Sequence, residues 1–416
     1  MTSKSAFNFK IKLNLKCLLV IFLIFLLIFV EAVNSGGYVD EILGAISIAY
    51  IIVSARRLQR TDLITFVLLA IVVAIGLVSN MIFRLNTSLF SILVDVLTQV
   101  KPIFVFFAAK YFLNANEKIT VANMLAPVAK LFCLITFVCA VVSQFVDIGM
   151  TSGEVRYGIT VFRFIFEFNH QYTSVYMLVF GVLVSNTSMS GKVRKRYYVI
   201  AIISILFAAK SPALIFTVVF VFLYFYFKKH NKLKVWVIIL LAIALIFAGT
   251  YQINEYLLNE NAPRRVFFEY AFKTANDYFP LGSGFATYGS EQAKREYSPL
   301  YYQYGFDTMW GLGPNDGFFL NDNYWPTVIG QFGWIGTIFM LAVYVKLFFT
   351  FANKKMGNAQ KAYLYGAFVQ YMVHAIGSAI LTSSAGMIGI IAIALFSVTE
   401  EKEDSAMKLP RVKIHF

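Results

Sequence analysis

Apolar runs alternate with short polar segments along nearly the whole chain, from residue 17 to residue 399. About 20 apolar residues cross a bilayer as a helix. On that measure the runs predict spans over 17–33, 39–55, 62–82, 89–112, 121–146, 170–187, 197–209, 212–227, 235–251, 327–350, 360–381 and 385–399. Lys210-Ser211-Pro212 interrupts the stretch 197–227, and because Pro breaks helices the expectation is a tight hairpin with a full crossing each way. The first run, Cys17 to Val30, reads as a helix, since no small-residue cleavage site follows Val30 and the next run begins within about ten residues.

The predicted fold class is an all-α polytopic membrane protein with about 12 transmembrane helices and one long, partly helical extracytoplasmic loop. Residues 1–251 carry helices 1–9, 252–326 form the loop, 327–399 carry helices 10–12, and 400–416 are a cytoplasmic tail. A loop of that length is either functional or disordered. Its Tyr, Phe and Trp content argues against disorder, and Arg264 to Tyr278 suits a helix. No internal repeat is evident, which weakens an inverted-repeat transporter reading.

Charge orients the spans. The basic segments hold Lys4, Lys10, Lys12 and Lys16; Arg56, Arg57 and Arg60; Lys110 and Lys118; Lys192, Arg194, Lys195 and Arg196; Lys228, Lys229, Lys232 and Lys234; and Lys354, Lys355 and Lys361. Every second loop is basic, as the positive-inside rule requires, and Lys408, Arg411 and Lys413 put the tail inside too. Outside lie 34–38, 83–88, 147–169, the Lys210 tip, 252–326 and the tip at Thr382-Ser383-Ser384.

Composition agrees. The 416 residues are 59 % hydrophobic, with mean hydropathy +0.70, against about 45–50 % apolar in soluble domains. The net charge of +14 is accounted for by the loops and does not point to nucleic acid. Cys17, Cys133 and Cys139 all fall in apolar runs, with neither a disulfide framework nor metal-type spacing. No Gly-rich phosphate loop appears, so ATP chemistry within the chain is not expected.

Four outward segments carry candidate chemistry. "RYGITVFRFIFEFNHQ", 156–171, holds Arg156, Arg163, Glu167 and His170. The two arginines are seven apart and share a face if the segment is helical. They either snorkel from an interfacial segment or bind an anion. Lys210 either anchors its turn or meets an anion, a cation being less expected on the outer side. In "NAPRRVFFEYAFKTANDYFPLGSGF", 261–285, Arg264 and Arg265 open a helical segment. Cations are unfavourable at a helix N-terminus, a mismatch that an anionic ligand resolves. In "FFLNDNYWPTVIGQFGWIGTIFML", 318–341, one of Asn321, Asp322 and Asn323 is expected to cap the following helix, with Pro326 in its first turn. Asp316 and the other polar groups at this helix mouth exceed what a cap needs. Gly333 and Gly336 should let the helix pack closely on a neighbour.

Taken in order, these parts resemble the O-antigen polymerase and O-antigen ligase superfamily of bacterial polysaccharide assembly, in topology over the whole chain and specifically in about four motifs. "PRRVFFEYAFKTANDYFPLGSG" is similar to a family segment in which Arg precedes a helix closed by Pro-x-Gly-x-Gly. Arg265 takes the Arg position, Ala271 the small helix position, and Pro280, Gly282 and Gly284 the closing turn. "DNYWPTVIGQFGWIG" resembles the stretch entering the next helix. Asp322-Asn323 stands where ligases of the family usually carry His-Asn, which favours a Wzy-type polymerase over a ligase. "AKSP" resembles the family's Ser-Arg-Ser/Thr hairpin, with Lys210 at the Arg position. "RYGITVFRFIFEFNHQ" is more loosely similar to a stretch with His-Pro-Asn; His170 matches, whereas Gln171-Tyr172 does not.

The resemblance implies a glycosyltransferase without metal or other cofactor at the outer face of the bacterial inner membrane. It would join undecaprenyl-diphosphate-linked oligosaccharide repeats for O-antigen, capsule or exopolysaccharide. The lipid bilayer, a flippase and a chain-length regulator are the further partners, and nucleic acid is not. Arg265, Arg264, Lys210, Arg156 and Arg163 would stabilise the departing lipid diphosphate. Asp322 would accept the proton of the attacking hydroxyl, with Asp316 and His170 as weaker candidates. Asn323, Trp325, Trp310 and Tyr324 would contact substrate, the aromatics by stacking on sugar faces, although interfacial anchoring suits them nearly as well. The competing readings are an O-antigen ligase, a lipid-linked oligosaccharide flippase or other transporter, and a structural scaffold. A transporter would be expected to carry charge within the spans rather than in outer loops.

Overall fold

A computed structural model describes residues 14–33, 38–190, 193–248, 262–351 and 356–397, and the chain is mostly helical. The helices are α1 Leu15–Val33, α2 Val39–Val53, α3 Arg60–Phe83, α4 Leu89–Phe112, α5 Ala115–Val142, α6 Asn169–Ser190, α7 Arg196–Leu206, α8 Ser211–Lys229 and α9 Val235–Ala248. After them come α10 Pro263–Asp277, the short α11 Glu291–Arg295 and α12 Pro299–Gln303, then α13 Tyr324–Phe349, α14 Asn358–His374 and α15 Ser384–Leu395. A helix lies at each of the twelve predicted runs. Among the described residues six of them, α1, α3, α4, α5, α8 and α13, are long and apolar enough to cross a membrane. Exposed Leu19, Phe22 and Phe29 on α1 and Val67, Met81 and Ile82 on α3 belong to the surface such a chain turns to lipid.

Local signals set the helix ends. Asn114 and Glu117 form a reciprocal capping box at 2.9 Å each way before α5, and the Ser88 hydroxyl accepts from the Ser91 N–H to cap α4. The Lys210 hairpin forms as expected, with Pro212 in the first turn of α8. Its first arm is shorter than expected. The 11 residues of α7 rise only about 17 Å, against a hydrocarbon core of about 30 Å.

Charge does not keep to the loops. Lys101 of α4 ion-pairs with Asp40 and Glu41 of α2, and Lys110 of α4 with Asp62 of α3. Lys118 Nζ donates to the Lys110 carbonyl at 2.8 Å. Opposite charges on adjacent helices satisfy one another, so an apolar run tolerates them. Lys4, Lys10, Lys12, Lys192, Lys354, Lys355 and the tail 400–416 lie outside the described residues.

Residues 156–168 are not helical, and helix begins only at Asn169. Strand β1, Thr151–Arg156, pairs antiparallel with β2, Ile159–Phe162. Tyr157 (φ 53°) and Gly158 (φ 77°) make the two-residue turn with both φ positive that suits the twist of a hairpin. The Phe162 N–H donates to the Phe207 carbonyl at 2.9 Å, docking this hairpin on the turn between α7 and α8.

Within the predicted long loop, residues 262–323 are folded around a core that includes Phe267, Tyr288, Leu300, Tyr301, Phe306 and Leu320. This unit sits on the ends of α3 and α4. Asn80 exchanges two hydrogen bonds with the Phe285 backbone, at 2.7 and 2.9 Å. Buried Asp95 accepts from the Ala286 N–H at 2.5 Å and from Gln331 Nε2 at 2.7 Å.

Helix α13 is broken one third of the way along, at Gly333 (φ 58°, ψ −164°). The strap Pro280–Gly284 fills the break. Ser283 N–H donates to the Gly330 carbonyl and Gly284 N–H to the Gln331 carbonyl, both at 2.9 Å. A Cβ on Gly333 would lie 2.5 Å from Gly282 N, so two backbones meet here. Gly333 thus allows a close approach as expected, but to the strap rather than to a second helix.

Candidate functional site

Four chain segments far apart in sequence converge at one end of the bundle: the β1–β2 hairpin, the α7–α8 turn, the start of α10, and the strap 321–323 before α13. Lys210 follows Ala209, whose φ of 44° lies in the left-handed region that L-residues rarely occupy. Backbone strain of this kind persists where the surroundings over-determine it. Lys210 is half-buried, and its Nζ lies 3.1 Å from His374 Nε2 at the end of α14. Desolvation pushes the ammonium down to about 7; Asp322 opposes this, while Arg264 and Arg156 add to it.

Arg264 reaches Asp322 from the first turn of α10. Its Nε donates to Asp322 Oδ2 at 3.1 Å, and its Nη2 forms an ion pair with the same oxygen. The guanidinium also lies 5.7 Å from the centre of the Phe319 ring. A carboxylate therefore offsets the cations at this helix N-terminus within the protein itself, and no ligand is needed to explain them. Burial pushes the Asp322 carboxyl above its usual range, while Arg264, Lys210 and Lys294 hold it down.

Other candidates take different places. Arg156 ion-pairs with Glu154 at 2.5 Å and still acts electrostatically on Lys210. The Arg163 guanidinium donates instead to the Thr151 and Glu167 carbonyls, at 2.9 and 2.8 Å, so it ties down the hairpin base. The expected shared face of Arg156 and Arg163 is lost with the helix. His170 stacks on Phe168, 5.5 Å between ring centres, and lies 6.3 Å from the His374 ring. Asp316 accepts from the Gly311 N–H at 2.9 Å, holding the loop that carries Phe319 rather than facing Asp322's partners. Trp325 donates to the Met372 carbonyl at 3.4 Å and packs edge-on against Tyr324 and Tyr344, which explains it as packing. Tyr324 is likewise buried, bonded to Tyr344. Trp310 stays exposed beside Phe319. Arg265 is half-buried beside Arg264, but about 100° round the helix from it.

Asn323 occupies the cap position of α13, but its side chain makes no capping bond. Asn321 bonds Glu291, and Asp322 is held by Arg264, so none of the three residues caps the helix as expected. Asn323 is extended (φ −131°, ψ 123°), and side chains along an extended strand alternate in direction. Asp322 accordingly meets the cations, while Asn321 and Asn323 line a polar cavity on the other side.

His374 and Lys294 were not picked out by sequence. His374 lies in the run predicted to continue to 381, but α14 stops there. An ionisable residue near the end of an apolar run was the available signal. Lys294 Nζ is 3.5 Å from Asn321 Oδ1, a proximity made only by the folded loop.

The cluster can hold an anion among Lys210, Arg264 and Arg156 with a carboxylate and two imidazoles beside it. The chain matches no protein-family model and no curated protein.

Proposed function

We propose that this chain polymerises lipid-linked oligosaccharide repeat units at the outer face of the bacterial cytoplasmic membrane, for O-antigen, capsule or exopolysaccharide. In this reading it crosses the membrane twelve times with both termini inside, the short α7 and α15 being completed by the turns beside them. The observation that carries it is the convergence of Arg264, Lys210 and Lys294 on one half-buried carboxylate, Asp322, with Arg156 acting on Lys210 from behind. The resemblance in the Arg265–Gly284 and Asp322–Gly336 motifs adds to it.

The chemistry is displacement at an anomeric carbon. The acceptor hydroxyl gives its proton to Asp322 as its oxygen bonds the anomeric carbon of the donor sugar. The bond from that carbon to the phosphate oxygen breaks, and its electron pair leaves with the lipid diphosphate. Fixed cations stabilise the charge that develops on the leaving group, and Arg264 suits neighbouring phosphate oxygens because its planar fork donates twice. Diphosphate would draw Arg264 away from Asp322. With its guanidinium partner withdrawn, the desolvated carboxyl becomes a stronger base.

The buried charges of α2–α4 do not favour a transporter over this reading, because Lys101, Asp40 and Glu41 are paired with one another. Gene deletion followed by sizing of the surface glycan tests the proposal. Loss of a polymerase leaves single-repeat products, whereas loss of a ligase leaves unattached polymer, and unchanged glycan would sink both. Lys210→Ala, Arg264→Ala and Asp322→Ala at normal expression should each shorten the polymer.

A further inference from the structure

The cavity on the far side of the 321–323 strap belongs to none of the chemistry above. It has a volume of about 350 Å³ and lies between the start of α2, the middle of α4, the start of α11 and the turn at 379–383. Ligand sites usually have about 300–1,000 Å³, so this one has room for a small polar unit. Its accessible wall mixes polar and apolar surface in nearly equal parts.

Two of its lining side chains are unexplained by the fold. Asn323 is fully buried, and neither its Oδ1 nor its Nδ2 has a hydrogen-bond partner. Gln99 is buried, and its Oε1 is likewise unpartnered. Buried amides are almost always bonded, and an unbonded one is costly enough to call for a reason. They stand on different elements, α4 and the strap, in the wall of one cavity. An incoming group that both donates and accepts would satisfy them, as a hydroxyl does.

The charges of the wall narrow the class further. Asp40 and Glu41 are paired with Lys101, and Glu291 with Arg295 and Asn321. With its acids already partnered, the cavity is poor for a bare cation and offers little to an anion. Its unpartnered amides are poor for an apolar group. At its edge Tyr38 is exposed, with the Arg295 guanidinium over one face of its ring, and an open aromatic face suits the apolar face of a sugar.

We propose that this cavity is a saccharide subsite that takes one neutral sugar unit through Asn323 and Gln99. Binding of a saccharide stands on the cavity alone. Its role as a seat for the acceptor rests on the polymerase reading above: the unit held here would anchor the acceptor oligosaccharide, and another of its units would reach round the strap to Asp322, which faces the cations.

The test uses the full chain in nanodiscs and methyl glycosides of glucose, galactose, N-acetylglucosamine and rhamnose as probes. Binding is followed by saturation-transfer NMR and titration. At least one glycoside should bind, and should still bind in saturating inorganic diphosphate. Asn323→Ala should weaken it by about tenfold or more, the order expected for a lost buried hydrogen-bond pair. Val94→Phe, which adds bulk to the cavity wall from α4, should abolish it and decides the matter if Asn323→Ala does not fold. The proposal is overturned if no glycoside binds, if binding survives both substitutions, or if diphosphate displaces the sugar. If glycoside binding holds but deleting the gene leaves surface glycan length unchanged, the subsite stands and the polymerase reading falls.

Discussion

At the scale of single residues, the site is a balance between one acid and several bases. Asp322→Asn keeps the shape of the side chain and removes its charge. A general base contributes about 10²–10⁴-fold, so repeat joining by the purified protein should fall by that order, with insertion and monodispersity unchanged. Arg264→Lys should restore only part of what Arg264→Ala loses, since an ammonium lacks the paired donors of the guanidinium. Lys210 gives a pH signature. Its folded value of about 7 lies below the ordinary 10.5, so between those limits the unfolded chain binds more protons. Stability should therefore rise with pH across that window, and the gain should be lost as pH falls through about 7. Thermal unfolding in detergent at about pH 6 and about pH 9 should show this rise, and Lys210→Met should flatten it. A slope unaltered in Lys210→Met would mean that other groups produce it.

At the scale of elements, the break in α13 does more for the site than its continuity. Gly333 sits at φ 58° and ψ −164°, a region essentially reserved for glycine, and its Cα faces the Gly282 backbone. Gly333→Ala should cost more than the about 1–3 kcal/mol of such strain, because the added methyl also strikes Gly282. Gly305 has a positive φ of 71° but open space around it, so Gly305→Ala should lower the unfolding temperature much less. Comparable losses in the two variants would remove close packing as the cause. Hydrophobic periodicity places the helices because burial and lipid contact act on each run locally. It is blind to the hairpin at 151–162, whose signal is the Tyr157-Gly158 turn, and to the Gly333 break, which needs the strap 50 residues earlier in the chain. Lys210, Arg264, Arg156 and Asp322 were legible because unlike residues stood out against apolar surroundings. His374 hid inside an apolar run, and the structural duties of Arg163, Asp316 and Trp325 depend on partners that no spacing encodes.

At the scale of the whole molecule, the folded loop 262–323 and the helical bundle act as one framework. Arg264 and Asp322 stand on the loop, Lys210 and His374 on the helices, and their relative positions depend on how firmly the two parts join. Asp95 is the centre of that joint, bonding Ala286 of the loop and Gln331 of α13 from within α4. Hydrogen bonds to charged groups are worth about 1.5–3 kcal/mol each, so Asp95→Leu should loosen the joint by roughly 3 kcal/mol or more. Asp95 is fully enclosed by protein, so its effect on the cations passes through the loop and the first part of α13. Limited proteolysis should then cut within 262–323 far faster than in the unaltered chain, while the helices remain protected. Repeat joining should fall along with the protection, and glycoside binding should weaken too, because Glu291 and Asn321 belong to the same loop. If activity fell while the loop stayed protected, Asp95 would have a more direct role than holding the two halves of the site together.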